Sequence, residues 1–206
     1  MKESFIFRLS DSNLKFIKSI IGSKIKLLNL NAANILGLSS STDSHSFIVS
    51  DKISIILENK NNEYSFFYLR ANDLGDTLLS YNSYYLTIEE DGMQNLAFEK
   101  FEKKGFFENE QFLINIGYEA ISKIDIYGID TTFTRESNAQ VIADVNLMIA
   151  FHSVDGNIIT FSGNGRNQNI FITFFSNHNI STFEEWIILQ ENQWSDKLYN
   201  LKLSIE

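Results

Sequence analysis

The chain has 206 residues, 44% of them hydrophobic and 14% aromatic, which suits one domain with ample apolar surface and excludes intrinsic disorder. Seventeen Lys and Arg stand against 26 Asp and Glu, a formal charge of −9. That balance argues against a nucleic-acid partner, whose phosphates must be neutralised by cations, and suits a basic protein partner instead. Cysteine and proline are both absent, so disulfides, thiolate metal sites and cysteine nucleophiles are excluded and turns must come from Asn, Asp, Gly and Ser.

No apolar run approaches the roughly 18 residues of a membrane-spanning helix. Glu3 and Arg8 interrupt the apolar stretch that a signal peptide would need. The expectation is a cytoplasmic protein with no membrane partner. Asn, Ile, Lys and Phe are abundant while Arg occurs only four times, the composition of an AT-rich, prokaryotic genome.

In chain order, Asp11 to Gly22 reads as a helix, with Leu14, Ile17 and Ile21 on one face, Asp11 as its cap and Gly22 at its end. Ile25–Leu30 and Ser46–Ser50 read as strands. Ile53–Glu58 and Tyr64–Arg70 flank Asn59-Lys-Asn-Asn62 and read as a hairpin, followed by a strand at Tyr84–Ile88. Glu110–Ile121 reads as a second helix with Leu113, Ile116 and Ala120 inward, and Ile124–Tyr127 as a strand. Val145–His152 and Asn157–Ser162 flank Asp155-Gly156, a two-residue hairpin signal of the type I′ class. Ile170–Phe175 and Ile187–Leu189 complete the strands.

The order of elements repeats. An offset of 99 residues sets Leu14 on Leu113, Ile17 on Ile116 and Ser23-Lys-Ile25 on Ser122-Lys-Ile124. An offset of 95 sets Asn62 on Asn157 and Thr87-Ile-Glu-Glu90 on Thr182-Phe-Glu-Glu185. The expected fold is therefore α+β and strand-rich: two tandem helix-plus-antiparallel-sheet repeats, residues 1–100 and 101–206, packed about a pseudo-twofold axis as one compact unit.

Chemistry is sparse. His45, His152 and His178 have no metal-ligand spacing, and their places near turns suggest solvent-facing rings. Gly163-Asn-Gly165 lacks the helix a phosphate loop needs, because Ile170–Phe175 reads as a strand. Arg8, Lys15, Lys18, Lys24 and Lys26 form a basic cluster that reads as a solvated face. No catalytic residue, cofactor or metal site is expected. Two acidic elements stand out with aromatic neighbours: Glu184, Glu185 and Trp186, and at the repeated position Glu89, Glu90 and Tyr85. Aromatic anchors beside carboxylates are the composition of an interface to a basic protein. In size, acidity and lack of catalytic motifs the chain is similar in general character to the immunity proteins that accompany interbacterial toxins. That likeness implies a non-catalytic, toxin-neutralising binding protein. The alternatives are a structural or assembly protein with pseudo-dimeric halves, a small-ligand binding or sensor module, and an enzyme.

Overall fold

The computed structural model describes residues 2–31, 35–40, 44–50, 52–73, 84–90, 111–134, 138–164, 169–177, 183–185, 187 and 199–206. The elements are β1 (Lys2–Phe7), α1 (Asp11–Ser19), β2 (Lys24–Asn31), β3 (Ile35–Ser40), β4 (Ser44–Ser50), β5 (Lys52–Glu58), β6 (Tyr64–Asp73) and β7 (Tyr84–Glu90). They continue as β8 (Gln111–Asn115), β9 (Ile121–Thr134), β10 (Gln140–Ser153), β11 (Ile158–Asn164), β12 (Asn169–Phe175) and β13 (Tyr199–Ile205). The protein is mostly β, built from two sheets.

The smaller sheet is antiparallel, in the order β7-β6-β5-β2-β8. The larger has the antiparallel path β13-β9-β10-β11-β12-β4-β3, with β1 joined in parallel to β10. Alternation explains the faces. Ile53, Ile55 and Leu57 of β5, with Phe67 and Leu69 of β6, point to one buried core. Phe151, Ile159, Phe161, Ile170 and Ile172 of the larger sheet point to the same core. The Phe67 and Phe151 rings meet across it with centroids 6.4 Å apart. Helix α1 lies against this core through Ile17 and through Phe16, whose ring is edge-on to Phe67 at 5.2 Å. Its cap is Ser10, one residue before the expected Asp11. Ser10 Oγ accepts from Asn13 N at 3.1 Å, and Ser10 N donates to Asn13 Oδ1 at 3.4 Å, a reciprocal box that satisfies two amide donors.

Three sequence expectations are corrected. The second helix over 110–121 does not form: Gln111–Asn115 is strand β8, paired with β2 from Leu27↔Asn115 to Asn31↔Gln111. The free edge of β2 offers a full row of main-chain partners, and Gly117 weakens the competing helix by about 1 kcal/mol. Leu113 is therefore not the helical counterpart of Leu14, and the Ser23 and Ser122 segments touch rather than repeat, with Ile121 N donating to Ser23 O at 2.8 Å. Ile187, expected in a strand, is helical, as are residues 183–185. Finally, the Asp155-Gly156 hairpin is not of type I′. Only Gly156 has positive φ, at 83°, and Gly156 N donates to Ser153 O at 3.0 Å. This is a type I turn closed by a left-handed residue. Asp155 favours it by taking Asn157 Nδ2 at 2.7 Å and Ser153 Oγ onto its carboxylate.

The β5–β6 hairpin has the same form. Asn62 has φ 60°, Asn62 N donates to Asn59 O at 3.0 Å, and Asn59 N donates to Glu63 O at 2.9 Å, matching Ser153 N to Asn157 O at 2.9 Å. The structural match sets Asn62 on Gly156, one residue away from the sequence alignment. Each sheet also draws strands from both sides of residue 100: β1, β3 and β4 enter the larger sheet and β8 the smaller.

Two glycines separate two physical demands. A Cβ on Gly128 would lie 1.9 Å from Val145 O, whereas at Gly156 the obstacles are the positive φ and the Asn177 side chain, whose Cβ would lie 3.0 Å away. Gly128→Ala should cost about 2–3 kcal/mol because backbone must move. Gly156→Ala should cost about 1–2 kcal/mol. Urea unfolding of the two variants checks the order; Gly156→Ala as the more damaging change would contradict it.

Candidate functional site

Glu184 and Glu185 are exposed on the short helical turn 183–185. The residue before them, Phe183, is only 5% exposed. Its ring stands edge-on to Phe175 at 5.3 Å and to His152 at 5.7 Å. The turn thus plants one ring in the protein and holds two carboxylates in solvent. On a strand, adjacent residues would have pointed to opposite faces. Trp186 lies outside the described residues, as does His178. In the other acidic element, Glu89 and Glu90 pair through the main chain with Tyr68 and Phe67 of β6, and their side chains are outside the described set. Tyr85 is half-buried, stacked on Phe7 at 4.5 Å.

The basic cluster is divided by the fold. Lys15 and Lys18 are exposed on α1. Lys24 pairs with Glu119 at 2.7 Å, Lys26 with Glu58 at 3.1 Å, and Arg8 with Asp144 at 3.4 Å. Gly163 and Asn164 belong to β11 and pair with Ile170 and Asn169 of β12, and Gly165 lies outside the described residues.

The polar centre that sequence reasoning missed is Asp125, whose side chain is 2% exposed. Its Oδ2 lies 2.9 Å from Lys123 Nζ and 2.9 Å from His152 Nε2, and its Oδ1 accepts from Ser204 Oγ at 2.6 Å. The His152 contact is close, though its N–H is not aimed squarely at the carboxylate. Cross-strand register assembles the group: Asp125 faces Ser204 on β13, and Lys123 faces His152 on β10. His152 is therefore half-buried against a carboxylate, not solvent-facing. Only the alternation of charge in Lys123-Ile-Asp125, beside a strand carrying a histidine, could have signalled it.

Its order is that of a structural hub. In a nucleophilic triad the histidine stands between serine and aspartate; here the aspartate stands in the middle and the serine touches it directly. The adjoining recess is small. It has about 200 Å³ of space, open solvent included, lined by Ile25, Tyr118, Ile121, Phe151 and His152 among others.

Burial alone would raise the Asp125 pKa, but the donors His152, Lys123 and Ser204 together outweigh it and bring it from 3.8 to about 2. A depressed carboxylate pKa contributes stability above the unfolded value, and that stability is lost as pH falls from about 4 to about 2. The shift corresponds to about 2 kcal/mol. Asp125→Asn should therefore flatten the acid limb of the stability curve in that window, as followed by denaturant unfolding at stepped pH. An unchanged limb would show that this carboxylate does not carry it. Compared with protein families, with curated proteins and with solved structures, the chain matches none.

Proposed function

We propose that this chain is a non-catalytic, acidic protein-binding protein of a prokaryote, cytoplasmic, which neutralises a toxin by covering its basic surface. The observation that carries the reading is the pairing of a buried Phe183 with exposed Glu184 and Glu185. Anchoring the turn removes freedom the carboxylates would otherwise lose on binding, which is preorganisation. The net charge of −9 supplies a field of the right sign to steer a basic partner. Trp186 follows in sequence as the aromatic anchor. The Glu89, Glu90 and Tyr85 element is the weaker candidate, because the Tyr85 ring already packs on Phe7.

A second reading, an assembly protein with pseudo-dimeric halves, draws on a different observation. The strand orders β2-β5-β6-β7 and β9-β10-β11-β12 run through the two sheets in the same sequence, each with the same hairpin after its second strand. A pseudo-twofold relation between these four-stranded arrays is the finer form of that proposal. It requires no helix in the second copy.

The test is capture of the partner from the native host, followed by association kinetics at low and high salt. Glu184→Gln with Glu185→Gln should slow association and flatten its salt dependence. Trp186→Ala should speed dissociation at a cost of about 2 kcal/mol or more. Association indifferent to salt and to both carboxylates would remove this surface from the reading.

A further inference from the structure

We propose that Lys202 and Asn146 form an intramolecular amide crosslink, with Asp144 carrying the protons that the reaction moves. Lys202 Nζ lies 3.1 Å from Asn146 Oδ1, the oxygen bonded to the carbon under attack, and also binds Asp144 Oδ1. The groups come from β13 and β10, two places apart in the larger sheet. Asn146 is 3% exposed, and the side chains of Lys202 and Asp144 are 10% and 20% exposed. An amine, a carboxamide and a carboxylate held together and sheltered from water are the full set of groups that such a bond needs.

The fold aims these groups at one another. Strand β9 runs between β13 and β10, and its residue opposite Asn146 is Gly128. That position therefore has no side chain to obstruct the reach of Lys202. Both reacting residues stand at register irregularities, Lys202 between Leu201 and Leu203, and Asn146 at the step to Met148. Bulges re-aim side chains out of the ladder and gather next to reactive centres. Arg8 lies 3.4 Å from the other oxygen of Asp144, Oδ2, and leaves Oδ1 to the amine.

The step balances within the protein. The Lys202 ammonium gives a proton to Asp144 Oδ1, and the freed amine attacks Asn146 Cγ. The bond from Cγ to Nδ2 then breaks. Asp144 passes the two protons lost by the lysine to the departing nitrogen in turn, so an ammonium ion leaves and the carboxylate is regenerated. Nothing is oxidised or reduced. The product is a neutral amide that ties β13 to β10 across 56 positions of sequence. In a chain without cysteine, an amide takes the place of a disulfide in restricting the unfolded state. The bond needs no partner, so this inference stands or falls apart from the toxin-neutralising reading.

The test holds the folded full chain at neutral pH until its mass is constant, then reads it by intact mass spectrometry after denaturation. The expected mass is one ammonia below that of the sequence. A tryptic digest should contain a linked pair of peptides carrying Asn146 and Lys202, uncleaved after Lys202. Lys202→Arg, which keeps the positive charge, should restore the full mass and lower the unfolding temperature. Asp144→Ala should slow the mass change by roughly a hundredfold or more. The wild-type mass and the linked peptides decide the question even should a variant fold poorly. A wild-type chain at full mass, an ammonia loss that survives Lys202→Arg, or a link through Asp144 with loss of water would overturn the proposal.

Discussion

The fourteen residues of β10 need hydrogen-bond partners along both edges, and the way that need is met organises the molecule. One edge is taken by β9 over the full length from Gln140 to Ser153. The other is divided: β1 pairs with Gln140–Val145, and β11 with Met148–His152. The chain start and a distant hairpin are thereby laid end to end along one strand. The register irregularity between Asn146 and Met148 falls where these two partners change over. It also reverses the faces. Before it the odd-numbered Ala143 and Val145 enter the second hydrophobic cluster; after it the even-numbered Met148 and Ala150 do, while Ile149 and Phe151 enter the core between the sheets. A bulge is the cheapest way to exchange faces within one strand, and it needs the partner backbone close by. Gly128, opposite Asn146, supplies that approach.

Strands β9 and β10 together fix β13 from both sides by polar contacts. Asp125 holds Ser204 on the face of the second cluster, and Asp144 with Asn146 holds Lys202 on the other. A buried carboxylate is tolerated only when its charge is compensated, and Asp125 is met by Lys123 of its own strand β9, His152 of β10 and Ser204 of β13. Removing one donor would leave an unmatched charge, so each contact enforces the register of the others. A strand pinned in this manner does not depend on burying its own leucines, which explains how Leu201 and Leu203 can remain outside.

What was legible in the sequence was local. Period-two runs gave β5, β6, β10, β11 and β12 within a few residues, and the helical stripe of Leu14, Ile17 and Ile21 gave α1. The turn chemistry of Asn59–Asn62 and Asp155-Gly156 placed both hairpins, although the actual turn uses one left-handed residue where two were expected. Strands whose partners are remote left no such trace. β1 pairs in parallel with residues far along the chain and β8 fills the edge of β2; β13 does alternate, Leu201, Leu203 and Ile205 against Asn200, Lys202 and Ser204, but its partner β9 lies far earlier in the chain. The stretch 110–121 carried apolar residues at helical spacing, yet the open edge of β2 outweighed that propensity. Of the candidate site, Glu184 and Glu185 lie exposed on a short helical turn, whereas the Asp125 hub needed cross-strand register that no single segment encodes.

The distribution of charge is the last step from fold to surface. Arg8, Lys24, Lys26, Lys123 and Lys202 are each within ion-pair distance of a carboxylate. Each such pair removes one positive and, where it is not shared, one negative charge from the outer field, so the excess of nine acids is carried by what remains. Exposed pairs such as Lys24 with Glu119 add little to stability, as side-chain freedom and solvent screening offset the attraction. Their larger effect is to take cations out of the field seen by an approaching molecule. Glu184 and Glu185, exposed beside a buried ring, take part in no ion pair among the described residues, so their charge stays in the outer field.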